Sequence, residues 1–154
     1  MESDFRRRGK YCYFYCLQQQ FMYRTETQIR VRYGETDRMG YAYYANYAMY
    51  FEVGRTEMLR SLGFTYREWE DSGILLPVRS MSVSYKHPAR YDDLLTIITI
   101  VKEMPTARIT FDYEVYNEEG KLICTANTVL VFVDAASGRP TRPPEAFLQI
   151  LQSK

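Results

Sequence analysis

The chain has 154 residues, with 15 Tyr, 8 Phe and 1 Trp but a single histidine, and a formal net charge of +1. The length suits one domain with a real hydrophobic core. One histidine excludes a zinc site built from histidines and leaves only His87 for a Ser-His-Asp or Cys-His arrangement, so a carboxylate or a tyrosine is the expected acid–base group.

Residues 1–24 differ from the rest. They hold five basic and two acidic residues, a local charge of +3 that leaves −2 on the remainder. They also hold Cys12, Cys16 and seven of the aromatic residues. The basic run Arg6 to Arg8 with Lys10 precedes a short, tyrosine-rich stretch, but Gln18 to Gln20 follow and no small-residue cleavage site does. An export signal is therefore not the expected reading. This leader reads as an extension outside the core, with Met22 as an alternative start, or as an arm for a membrane surface or a partner. The folded domain is expected over 25–154.

From Thr25 to Tyr33 the residues alternate, with Thr27, Ile29, Val31 and Tyr33 on the expected inner side, as in a half-buried strand. Gly34 to Gly40 break the pattern and form a loop. From about Tyr44 to Leu62 the period becomes helical, with Tyr47, Tyr50, Phe51, Gly54, Met58 and Leu62 on one stripe and Gly63 as the stop. A short helix is expected over Tyr66 to Asp71. Four strands follow, at Leu76 to Lys86, Leu94 to Glu103, Arg108 to Tyr116 and Lys121 to Val133, joined by turn-like segments. A last helix covers Glu145 to Gln152. Strands joined by short turns are antiparallel. The long helix must bury its apolar stripe, so the fold class is α+β, a sheet of about five strands wrapped around one long helix.

The segment Tyr33-Gly-Glu-Thr-Asp37-Arg-Met-Gly40-Tyr-Ala-Tyr-Tyr44-Ala-Asn46-Tyr47 resembles the signature of hot-dog-fold acyl-CoA thioesterases, the 4-hydroxybenzoyl-CoA and Tol-Pal-associated group. The resemblance continues through Glu52, Arg55, the strand Val78 to Val83, and Ala89-Arg90-Tyr91-Asp92-Asp93. It spans about residues 25–145 and implies the hot-dog fold, hydrolysis of acyl-CoA without a metal or other cofactor, and a homodimer or homotetramer with active sites between subunits. It also implies that Asp37 is the catalytic carboxylate, either attacking the thioester or activating water. Physically, a thioester carbonyl needs a nucleophile or base and donors for the oxyanion. Gly40 lets the loop turn toward the helix start, where free N–H groups near Tyr44 and Ala45 carry partial positive charge.

Tyr44 stands where other members of the group have tyrosine or histidine, and it offers a hydroxyl or only its backbone N–H. Asn46 is a candidate cap or water-holding residue. Glu52 is a reserve carboxylate, expected on a solvated helix face or paired with Arg55 or Arg32. His87 reads as a turn residue before Pro88. The CoA phosphates call for cations, and Arg79, Lys86, Arg90 and Arg142 are the candidates.

Two other classes compete: a non-hydrolytic acyl-CoA-binding hot-dog protein, which usually lacks the carboxylate that Asp37 supplies, and a hydratase or dehydratase, which needs a histidine near the motif. An acyl carrier protein thioester is an alternative substrate. Balanced charge gives no sign of a nucleic-acid partner. No run of about 18 apolar residues offers a membrane-spanning helix. Three cysteines in a chain this long fit reduced thiols and a cytoplasmic location.

Overall fold

A computed structural model describes residues 23–154. The elements run β1 (Tyr23–Arg30), α1 (Tyr47–Ser61), α2 (Tyr66–Asp71), β2 (Ile74–Leu75), β3 (Val78–Tyr85), β4 (Leu94–Val101), β5 (Arg108–Tyr116), β6 (Leu122–Val131), β7 (Val133–Asp134) and α3 (Glu145–Gln152). Five strands form one antiparallel sheet in the order β1-β4-β5-β6-β3, and β2 pairs with β7. The long helix α1 lies across the sheet, the hot-dog arrangement that the motif implied.

Register explains how the helix fits. Thr25 pairs with Thr99, Thr99 with Tyr113, Tyr113 with Ala126 and Ala126 with Val83, one row across all five strands. The helix crosses this row at Gly54 and Phe51. Phe51 stacks on Tyr113 with ring centroids 4.7 Å apart. A Cβ on Gly54 would stand 2.6 Å from Thr99 Oγ1, so the backbone approaches the sheet at a position only glycine fits without a shift. A second nucleus joins α2, α3 and the end of the sheet through Phe64, Trp69, Phe132 and Phe147. Helix α2 starts at a reciprocal cap: Glu68 N–H donates to Thr65 Oγ1 and Thr65 N–H donates to Glu68.

The first strand departs from its expected course. It was expected to run to Tyr33 with that ring inward. It ends at Arg30, the chain turns through a 3₁₀ segment at Tyr33–Glu35, and Tyr33 is 79% exposed. Past Arg30 the main chain is claimed elsewhere: Val31 N–H donates to Asp93 O, and Asp92 N–H donates back to Val31 O. β1 also starts at Tyr23, inside the stretch assigned to the leader, while the expectation for residues 1–22 lies outside the described residues. Sequence periodicity did not show the two-residue β2–β7 pair, which is too short for alternation to register.

Candidate active site

The loop between β1 and α1 is tied into a tight shape. Thr36 bridges to Ala42, Asp37 N–H donates to Tyr41 O at 2.8 Å, and Gly40 N–H donates to Asp37 O at 2.9 Å. Gly40 has φ +75°, a left-handed conformation in which L side chains are strained. From outside, Ala42 N–H donates to Ala89 O at 2.8 Å, and the Arg90 guanidinium lies 4.9 Å over the Tyr41 ring. These contacts fix the carboxylate of Asp37. Its Oδ1 accepts from Met39 N–H at 2.9 Å and from Tyr41 N–H at 3.2 Å. Its Oδ2 accepts nothing from the described residues, so one oxygen is held and the other has no protein donor among them.

Asp37 lines a cleft of about 520 Å³ with Tyr44, Tyr47, Tyr85, Lys86 and His87. The start of α1 forms one wall. A 3₁₀ turn at Tyr44–Asn46 precedes the α-helix. In it the Asn46 N–H is spent on Tyr43 O, while the N–H groups of Tyr44 and Ala45 find no acceptor among the described residues. These are the free donors that a helix start leaves behind. The Tyr85 hydroxyl donates to Tyr44 O at 3.0 Å and holds this turn against β3.

Asn46 has a different role from the expected cap. Its side chain makes no capping bond to α1; instead its Nδ2 donates to Glu35 O at 2.7 Å, tying the helix start to the loop. His87, expected as a turn residue before Pro88, also lines the cleft. Of the four proposed cations, Lys86 is on the cleft wall and Arg90 stands behind Tyr41. Arg79 sits at a bulge six residues before Tyr85 along β3, about 20 Å away at strand spacing, outside this cleft. Arg142 is exposed and lines none of it. Glu52 is exposed on α1 and makes no ion pair among the described residues; the partner of Arg32 is Glu35 instead.

Glu35 is the residue that sequence reasoning passed over. It is 6% exposed. Burial alone would raise its carboxyl, but hydrogen bonds from Arg32 and Tyr50 outweigh this and hold it below its ordinary value. The signal was the Arg32–Glu35 spacing of three ahead of Asp37. Burial pushes the Tyr47 hydroxyl up to about 12, which keeps it protonated near neutral pH. Burial also pushes the Cys124 thiol up to about 12, which keeps it protonated and unreactive.

The sequence matches the thioesterase-like superfamily over residues 31–151. It is 36% identical over 126 residues to YneP of Bacillus subtilis, covering 82% of this chain and 91% of that protein. It is 34% identical over 120 residues to YbgC of Escherichia coli O157:H7, named an acyl-CoA thioester hydrolase, covering 78% and 90%. A solved DHNA-CoA thioesterase from Staphylococcus aureus superposes with a TM-score of 0.74 at 37% identity, covering 77% of this chain and 80% of that one. A five-strand antiparallel sheet wrapped around one long helix agrees with these matches: the chain belongs to the thioesterase-like superfamily.

Proposed function

We propose that the protein is an acyl-CoA thioesterase, cleaving the thioester to a free acid and CoA with Asp37 as nucleophile or general base. The observation that carries this reading is the Asp37 carboxylate, with one oxygen pinned by two backbone N–H groups and the other, in a cleft shared with Tyr44, unpartnered among the described residues, as is the N–H of Tyr44. The substrate carbonyl oxygen takes its hydrogen bond from that N–H and gains the partial positive charge of the helix start as the oxyanion forms. Along one route Asp37 attacks the carbonyl, CoA thiolate leaves, and water cleaves the resulting anhydride. Along the other, Asp37 takes a proton from water, which attacks the carbonyl directly. Both give acid and thiol with no metal and no cofactor beyond the CoA of the substrate.

Lys86 supplies a cation on the cleft wall, and Arg90 a second one behind Tyr41, for the CoA phosphates. Arg79 is a candidate only for a contact made across subunits. A homodimer or homotetramer is supported by β3, an edge strand of the sheet whose Val78, Met81 and Tyr85 are about half exposed. We place the enzyme in the cytoplasm, in keeping with the free, buried thiol of Cys124. Among the described residues no helix is long and apolar enough to cross a membrane.

The test is a panel of acyl-CoA substrates read with a thiol-detecting reagent, run on the wild type and on Asp37→Asn. CoA release by the wild type and its loss in the variant support the reading. Tight binding of acyl-CoA without turnover, or an undiminished Asp37→Asn enzyme, would sink it. A single turnover in ¹⁸O-water separates the two routes: label in the Asp37 carboxylate means an anhydride.

A further inference from the structure

We infer that Glu35 is a positioning residue, whose buried carboxylate locks the loop carrying Asp37 to helix α1 so that the carboxylate and the N–H of Tyr44 keep their mutual geometry. The inference rests on Asp37 as the reacting group.

Three pieces of chain meet at Glu35. Its Oε2 accepts from Arg32 N–H at 2.9 Å and from the Tyr50 hydroxyl at 2.9 Å, and its Oε1 accepts from Arg32 Nε at 2.7 Å and from Arg32 Nη2. Tyr50 is 2% exposed on α1, so this bond runs from the loop into the body of the helix. The backbone oxygen of the same residue accepts from Tyr43 N–H at 2.8 Å and from Asn46 Nδ2 at 2.7 Å. One residue thus ties the segment that follows β1, the side of α1 and the turn that precedes it. Asp37 follows two residues later, and Tyr44 follows directly after Tyr43.

A buried carboxylate is costly unless each oxygen is satisfied. Merely closing a loop does not require that expense, since a neutral side chain could do so. What the charge adds is direction: four donors hold the two oxygens, and a displacement of the carboxylate plane loses some of them. The second oxygen of Asp37 has no partner among the described residues to correct its aim, so its position depends on the rigidity of its loop. Misplacement of reacting groups by an ångström is enough to slow a reaction by orders of magnitude.

The test compares Glu35→Gln and Tyr50→Phe with the wild type, alone and with Asp37→Asn. The phenylalanine variant keeps the buried ring and removes one donor, so it reads the effect if the glutamine variant folds poorly. Glu35→Gln is expected to lower kcat about 10-fold and Tyr50→Phe about 3-fold, with KM changed less than about 2-fold. In the Asp37→Asn background, the residual rate is expected to be insensitive to either change, because the group being aimed is gone. Wild-type kcat in both single variants, or equal losses with and without Asp37, would overturn the inference and leave Glu35 as a structural ion pair. An active Asp37→Asn enzyme would instead overturn the reading of the site, and the inference with it.

Discussion

Two aromatic clusters among the described residues are built from different rings. Phe64, Trp69, Phe132 and Phe147 pack edge-on and tilted, with centroids 5.0 to 6.4 Å apart, and Trp69, Phe132 and Phe147 are at most 4% exposed. Around Asp37 the rings are tyrosines and His87, and Tyr43, Tyr44 and Tyr85 are 44%, 62% and 47% exposed. A hydroxyl-free ring gains most from complete removal from water. A tyrosine can keep one end wet and still present an apolar wall. The first cluster therefore closes over itself and holds α2 and α3 to the sheet, while the second stays open and shapes a cleft. A chain with one cluster for stability and another for chemistry should respond to mutation in two separable ways.

Asp37→Asn should break the second cluster's function and spare the first. Its kcat is expected to fall about 1,000-fold or more, roughly 4 kcal/mol of transition-state stabilisation, with Tm unchanged within a degree or two. Steady-state kinetics and a thermal melt on the same preparation check both halves. Trp69→Ala should do the reverse, costing about 3 to 4 kcal/mol of stability, since it empties the centre of the buried nucleus. Denaturant unfolding measures that loss, and kcat per folded molecule is expected to stay near wild type. Gly54→Ala probes the boundary between the two, where α1 meets the sheet at Thr99. Its methyl group has no room, and a destabilisation of about 1 to 3 kcal/mol is expected. A stability equal to wild type would mean that the helix is not held this close.

Lys86→Ala sharpens the comparison on the cleft side alone. KM for acyl-CoA should rise about 3- to 5-fold while kcat and Tm hold, if the cation contacts phosphate. The smallest effect concerns pH. The Glu35 carboxyl is held below its ordinary value of 4.5 in the folded protein. Its charged form is therefore favoured by folding. That contribution is complete above about pH 4.5 and is lost as pH falls through the lower folded value. The Tm advantage of the wild type over Glu35→Gln should shrink over that range, and a gap that stays constant down to pH 3 would contradict the pairing.

Much of this was legible along the chain. The alternation of Arg108 to Tyr116 and the bounds of the last helix, Glu145 to Gln152, reappear residue for residue in β5 and α3. Local periodicity controls these, because each element has one face to bury. The Asp37 loop was legible for another reason: its glycines and its motif are local. Tyr33 was misread because alternation continued in sequence after the hydrogen bonds of β1 had ended. The cap reading of Asn46 failed because a polar residue at a helix start is usually a cap, whereas its side chain bonds Glu35 O, eleven residues back.

By itself, then, the sequence determined the order of the longer elements, the α+β class and the family. These depend on side-chain period and on residues within a few positions of each other. Only the tertiary structure decided which residues share the cleft. His87 joins Asp37 there because β3 runs beside β6 and returns its far end to the start of α1, and Arg79 is left out because it sits at the strand's other end. The burial of Glu35 was decided in the same way. A glutamate in a polar, glycine-flanked loop is exposed by every local rule, and it is buried here because Tyr50, fifteen residues away, reaches it across the fold. The single histidine marks the same division. Its count limited the chemistry from the start, but only the pairing of the strands put it on the wall of the cleft.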